Sequence, residues 1–286
     1  MWATTSFEDL LTDEGLDAVV VATPPSTHAD LARQAVAAAK HVFVETPLAL
    51  TGEDADELVR WADRSGRLLM VGHVLLFHPA VKRLKDLIDR GELGDLYCVS
   101  AERLGPPPAR PEGNVLWDLG PRDLSAILYL LGDQPIEVSA GGDAYLQPGR
   151  ADIVSASLAF ATGIRADLRL SWLEPVRTRR LTVVGSRRTA VIDERDRERP
   201  LSVYDRDPRG ELVSPRLETV EPLRAECERF VAAIRSSKEL VAGGREGAAV
   251  VNVLEALQRS LDRGERQPVG ATELAPGVIR LPARQG

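Results

Sequence analysis

Short apolar runs alternate through the first part of the chain with segments whose apolar residues recur every three or four positions. This is the pattern of β-α-β units around a parallel sheet. Residues 17–23 form a β-branched run stopped by Pro24 and Pro25, which predicts a strand buried on both faces. Residues 27–40 place Leu31, Ala32, Ala35, Val36 and Ala39 on one helical stripe, and 41–44 read as a second strand stopped by Pro47. A helix over about 52–65, carrying Leu58, Trp61 and Ala62, and a third strand over 67–72 complete three parallel strands with two crossovers.

The pattern changes after Gly72. Pro79 opens a helix with Val81, Leu84, Leu87 and Ile88 inside, and 96–103 reads as a strand. Residues 105–113 hold Pro106, Pro107, Pro108 and Pro111; proline fixes φ and removes an amide donor, so a loop is expected, a candidate cover for a site. Pro121 suits the first turn of a helix that buries Leu124, Ile127, Leu128 and Leu131 and ends at Gly132. From 135 to about 204 apolar positions alternate. Val154, Ala156, Leu158 and Phe160 join Ile164, Ala166, Leu168, Leu170 and Trp172 through a turn at Thr162 and Gly163, which predicts half-buried antiparallel strands. The charged run 193–199 fits a solvated hairpin connection, and helices over 222–236 and 246–261 close the chain.

Composition removes several classes of function. A net charge of −7 with 44% hydrophobic residues describes an acidic globular chain. A phosphate-binding face needs surplus Lys and Arg, so neither nucleic acid nor an anionic membrane is an expected partner. No stretch approaches the roughly 20 apolar residues that span a bilayer, and residues 1–14 lack the apolar core of a secretory signal. A cytoplasmic location is expected. Cys98 and Cys227 have no Cys or His at metal-ligand spacing, so both are expected as core thiols and no metal site is expected.

In chain order, Ala22-Thr23-Pro24-Pro25 with His28, Glu45-Thr46-Pro47, Gly72-His73 with Phe77-His78-Pro79, Gly91-Glu92-Leu93-Gly94 and Trp117-Asp118-Leu119-Gly120 form an ordered set. With that set the chain resembles the Gfo/Idh/MocA family of oxidoreductases over nearly its whole length. Glu221-Pro222-Leu223-Arg224 and Gly244-Arg245-Glu246-Gly247 are similar to members that oxidise nucleotide-linked acetamido sugars. The resemblance implies an α/β protein: an incomplete Rossmann-type parallel sheet over 1–74, then an α+β domain over 75–286 with an open, mostly antiparallel sheet. The last helices are expected to pack back on the first domain. It further implies an NAD- or NADP-dependent dehydrogenase acting on a small-molecule sugar or sugar-nucleotide hydroxyl, assembled as a homo-oligomer through the C-terminal sheet. Cofactor contacts are implied for Ala22, Thr23, Pro24, His28, Glu45 and Thr46, which follow strand ends where ligands of such sheets lie. Substrate contacts are implied for His73, His78 and Trp117, and catalytic positions for Thr46, Asp118 and Arg122.

The chain also departs from the family's pattern. Gly-x-Gly-x-x-Gly, whose amides and helix N-terminus hold a pyrophosphate, occurs nowhere in the 286 residues. Residues 1–10 resemble the family partway into its first domain, so a truncated dinucleotide domain is expected, with the strand over 18–22 left as an apolar edge that something covers. The family's Glu-Lys-Pro lysine is Thr46, the arginine expected before Phe77 is Leu76, and the histidine expected four residues after Asp118 is Arg122. Arginine stays protonated and cannot take an alcohol's proton.

Several residues therefore keep two readings. Arg122 is an exposed helix residue or an anion clamp; Asp118 is a helix cap or a catalytic group. Thr23 and Pro24 end a strand or touch the cofactor, and His73 and His78 are structural or face the cleft. Two functions stand beside each other: an oxidoreductase of altered chemistry, with Asp118, His73 or a water handling the proton, and a non-redox descendant. The latter is a pseudoenzyme subunit or a lyase- or cyclase-type catalyst that has lost the cofactor.

Overall fold

A computed structural model describes residues 2–107, 113–207, 212–236 and 240–270. The first sheet holds β1 (Ala18–Val21), β2 (His41–Val44) and β3 (Leu69–Val71), all parallel and in that spatial order. Helices α1 (Phe7–Thr12), α2 (His28–Ala37) and α3 (Gly52–Ser65) accompany it. Val19, Val21, Val42, Val44, Leu69 and Val71 pack with Ala32, Ala35, Val36 and Leu58, the stripes expected from the periodicity. The Thr51 hydroxyl accepts the Asp54 amide to start α3, and Gly66 in the left-handed region (φ 63°) stops it.

β1 is buried on one face only: Val19 and Val21 lie inside, while Val20 on the opposite face is 60% exposed. Burial on both faces was expected for this strand, and that is corrected. At the other edge, the Val71 amide donates to the Ala242 carbonyl (2.9 Å) and Met70 pairs antiparallel with Gly243.

The second sheet is built from β4 (Leu96–Leu104), β5 (Pro135–Asp143), β6 (Ile153–Phe160), β7 (Arg165–Ser171), β8 (Thr178–Gly185), β9 (Arg188–Asp193), β10 (Leu201–Asp205), β11 (Leu212–Val213) and β12 (Gln267–Pro268). Its nine strands run in the order β11-β10-β9-β8-β4-β7-β6-β5-β12, and every pairing is antiparallel except β4 with β7. Helices α4 (Pro79–Asp89), α5 (Val115–Leu131) and α7 (Gly244–Arg263) share one core with its inner face. The alternate positions Ser155, Arg165, Asp167 and Arg169 are exposed, which is the half-buried pattern of such strands. α7 also reaches β3: a Cβ at Gly247 would lie 2.4 Å from Val71 Cγ2, so only glycine permits that approach. α6 (Pro222–Ser236) packs Phe230 against Phe43.

Two expectations change, and a third is not reached. α5 begins at Val115 rather than near Pro121, because the Asn114 side chain accepts the Leu116 and Trp117 amides; Pro121 lies inside the helix, and Asp118 is not the cap. Cys98 is half-buried and Cys227 exposed, the latter lying one position off the buried stripe of Glu226, Phe230 and Ala233. Of the proline-rich loop expected as a cover, residues 108–112 lie outside the described residues.

Candidate functional site

The loops after β1 and β2 are fastened together by one imidazole. His28 is 1% exposed, with Nδ1 2.7 Å from the Pro47 carbonyl and Nε2 2.7 Å from the Thr23 carbonyl. A neutral ring donates to only one of them. His28 thus presents no free ring nitrogen; it positions the two loops. Ala22, Thr23 and Pro24 are exposed on this rim, with the Thr23 and Thr27 hydroxyls 2.7 Å apart and Thr27 donating to the Pro24 carbonyl.

At the carboxyl ends of β2 and β3 several polar atoms are buried and lack partners among the described residues, while Glu45 accepts the Thr46 amide (3.4 Å). A Cβ at Gly72 would sit 2.8 Å from Glu45 Oε2 and 3.3 Å from its Cα, so the glycine lets Glu45 lie against the end of β3. Thr46 follows, across a cis peptide to Pro47, with Oγ1 buried and without a hydrogen-bond partner. His73 is 2% exposed and neither ring nitrogen is partnered. Burial lowers its pKa to about 4, so the ring is neutral near pH 7. Glu226, brought in by α6 and 1% exposed, has an unpartnered Oε1; burial and then the charge of Glu45 push its carboxyl up to about 8. It is therefore mostly protonated at neutral pH and offers a donor.

A second polar group lies between α5 and the large sheet. The Trp172 indole N–H donates to Asp118 Oδ2 (2.9 Å), leaving Oδ1 without a protein donor among the described residues. Trp117 touches the cores of both sheets, and its indole donates to Gln258 (3.1 Å). Arg103, on the inner face of β4 and 1% exposed, forks onto Asp123 at 2.7 and 2.8 Å and also reaches Glu194 at 2.7 Å. Arg179 sits directly across from Arg103 in the β4–β8 pairing. Its Nη1 is buried with no partner; burial, then Arg103, and more weakly Arg122, lower its pKa. Arg122 is exposed one helical turn beyond Asp118. His78 caps α4 by accepting the Ala80 amide (3.2 Å), and burial lowers its pKa against an opposing pull from Glu194.

The residues expected for a site thus fall into two groups. Glu45, Thr46 and His73 meet at the strand ends; Asp118 and Arg122 share a face of α5, with His78 near Glu194. Among the described residues no side-chain hydrogen bond or ion pair joins the groups, although the turn Val74–Phe77 runs between them and packs on α5. Sequence reasoning missed Glu226, Arg103, Arg179 and Glu194. A signal existed: Glu226 stands in the apolar stripe of α6, and Arg103 and Arg179 occupy inward positions of alternating strands.

Comparison with known proteins adds to this picture. Residues 2–73 match the family described as "Oxidoreductase family, NAD-binding Rossmann fold", and residues 81–191 match the "GFO/IDH/MocA C-terminal domain". The chain is 32% identical to a UDP-N-acetylglucosamine 3-dehydrogenase of Acidithiobacillus ferrooxidans, over 87% of this chain and 81% of that one. It is 28% identical to an inositol 2-dehydrogenase of Rhizobium meliloti, over 86% and 78% of the two chains. A solved structure of the Acidithiobacillus enzyme superposes with a TM-score of 0.81 and 30% identity, over 91% of this chain and 83% of that one.

Proposed function

Because this chain belongs to the Gfo/Idh/MocA family of oxidoreductases, we propose that it oxidises a hydroxyl of a sugar or sugar nucleotide with NAD or NADP, using a rearranged set of polar residues. The observation that carries the reading is the collection of buried, unpartnered polar atoms at the strand ends: Thr46 Oγ1, both nitrogens of His73 and Glu226 Oε1. Buried polar groups are nearly always satisfied, and exceptions ask for a ligand. Their chemistry fits the nicotinamide end of a dinucleotide, whose carboxamide both donates and accepts: the hydroxyl does both, the neutral imidazole accepts and the protonated carboxyl donates. These residues account for that end alone.

When bound, the nicotinamide supplies the hydride acceptor, and Thr46, His73, Glu45 and Glu226 would hold its ring. His28 keeps the loops after β1 and β2 at a fixed spacing, so the rim is formed before anything binds. Asp118 accepts the hydroxyl proton at Oδ1, with Trp172 fixing the carboxylate through Oδ2. Arg122 cannot take a proton and instead stabilises negative charge. Thr46 brings no cation to polarise the forming carbonyl, which sets a slow turnover.

The test follows reduction of NAD or NADP by nicotinamide absorbance with UDP-N-acetylglucosamine and myo-inositol. Slow reduction is expected, and Asp118→Asn lowers it about a hundredfold. Thr46→Lys with Arg122→His raises the rate. Absence of reduction in every combination, and no gain in the double variant, contradicts the reading. The lack of a proton carrier at 46 and 122 favours a second reading, a non-redox reaction, which predicts substrate loss without net cofactor reduction.

A further inference from the structure

The arginines around α5 are unevenly paired. Arg103, Arg122 and Arg179 stand beside three carboxylates, Asp118, Asp123 and Glu194. Arg103 engages two of them: a bidentate fork on Asp123 and a third contact to Glu194. Asp118 has its Oδ2 turned to the Trp172 indole, not to an arginine. The guanidinium groups of Arg122 and Arg179 therefore have no hydrogen bond or ion pair among the described residues.

Their positions differ from those of ordinary surface arginines. Arg179 is fixed by strand register opposite Arg103, on the sheet face that α5 covers, with its main-chain carbonyl accepting the Glu194 amide (3.0 Å). One of its terminal nitrogens is buried and unsatisfied among the described residues, a state that is unfavourable until an acceptor arrives. Arg122 stands next to Asp123 in sequence, so the Arg103 fork that locks Asp123 also fixes the helix turn that presents Arg122. Arg122 and Arg179 thus come from a helix and a strand that one buried ion network holds together, near enough for the charge of Arg122 to lower the Arg179 pKa.

Resting on the reading of this cleft as the substrate site, we propose that Arg122 and Arg179 form an oxyanion clamp, so that the substrate is an anionic sugar rather than a neutral one. The guanidinium fork matches the oxygens of a carboxylate or a phosphate, and Arg103 with its two acids holds the clamp without competing for the anion. The shared chemistry is a sugar-borne oxyanion, from either a uronate carboxylate or a sugar phosphate.

Calorimetric titration of the whole chain with glucuronate, glucose 6-phosphate and glucose tests this without requiring turnover. At least one anion is expected to bind about tenfold or more tightly than glucose. Arg122→Gln and Arg179→Gln each remove most of that preference, bringing the ratio of anion to glucose affinity toward one. Arg179→Lys restores part of it, which separates lost charge from misfolding. Preference for glucuronate assigns a carboxylate, and preference for glucose 6-phosphate a phosphate. Equal affinity for glucose, no anion binding at millimolar concentration, or arginine variants that bind anions like the parent overturn the clamp. Arginine-dependent anion binding without cofactor reduction keeps the clamp and removes the oxidoreductase reading. Reduction with a neutral sugar, indifferent to both arginines, does the reverse.

Discussion

Two buried polar clusters stand within this molecule, and they are satisfied to opposite degrees. Arg103 itself is fully met: its guanidinium is 1% exposed and holds Asp123 and Glu194 at 2.7–2.8 Å. At the ends of β2 and β3, Thr46 Oγ1, both His73 nitrogens and Glu226 Oε1 are as deeply buried and have none. The comparison separates scaffold from site. The ionic network of Arg103 specifies how α5 sits on β4, whereas the unsatisfied cluster carries a standing cost that a ligand would remove under the proposed function.

The sharpest way to break the comparison is to remove one partner of the saturated cluster. Asp123→Ala takes the bidentate partner from buried Arg103 and leaves it Glu194 alone, and a loss of about 3 kcal/mol in unfolding free energy is expected from denaturant titration. A loss below about 1 kcal/mol would show that the network is not structural.

The unsatisfied cluster responds to pH instead, with two opposing slopes. Glu226 has its folded pKa raised to about 8 from 4.5, so its contribution is full below 4.5 and lost as pH rises through 8. Glu226→Gln is therefore expected to be more stable than the parent at pH 8.5, by on the order of 3 kcal/mol. His73 has its folded pKa lowered to about 4 from 6.5, so its contribution is present above 6.5 and lost as pH falls through 4. His73→Gln is expected to flatten the acid limb of the stability curve between those values. Parallel pH profiles of the parent and both variants contradict the assignment.

Smaller effects sharpen the same contrast. His28→Ala breaks the tie between the Thr23 and Pro47 carbonyls, and about 2 kcal/mol of stability is expected to go with it. Thr46→Val removes a buried hydroxyl that has no protein partner, so thermal stability stays within about 1 kcal/mol of the parent or rises. A larger destabilisation by Thr46→Val would mean that the hydroxyl already has a partner.

What the sequence made legible follows periodicity. β1, β2, β3, the β6–β7 hairpin and α6 lie where apolar spacing and turn residues put them, because burial on one side of an element repeats with the period of that element. The start of α5 was hidden: Asn114 caps it, seven residues before the proline that looked like its first turn. The burial of β1 on one face depended on what lies over it, which no local pattern states. In the site, Glu45, Thr46, His73, Asp118 and Arg122 were legible through ordered motifs. Glu226 and Arg179 were not, since they reach their places through packing of α6 and through the β4–β8 register, both contacts distant in sequence.

Titration of the purified chain with NADH, followed by nicotinamide fluorescence, tests most directly whether the unsatisfied cluster is a cofactor contact. The account predicts saturable binding in the micromolar range that weakens about tenfold in Thr46→Val and is unchanged in Arg180→Gln, an exposed position on β8. No binding of NADH or NADPH at millimolar concentration, or equal affinity in the Thr46 variant and the parent, would contradict it.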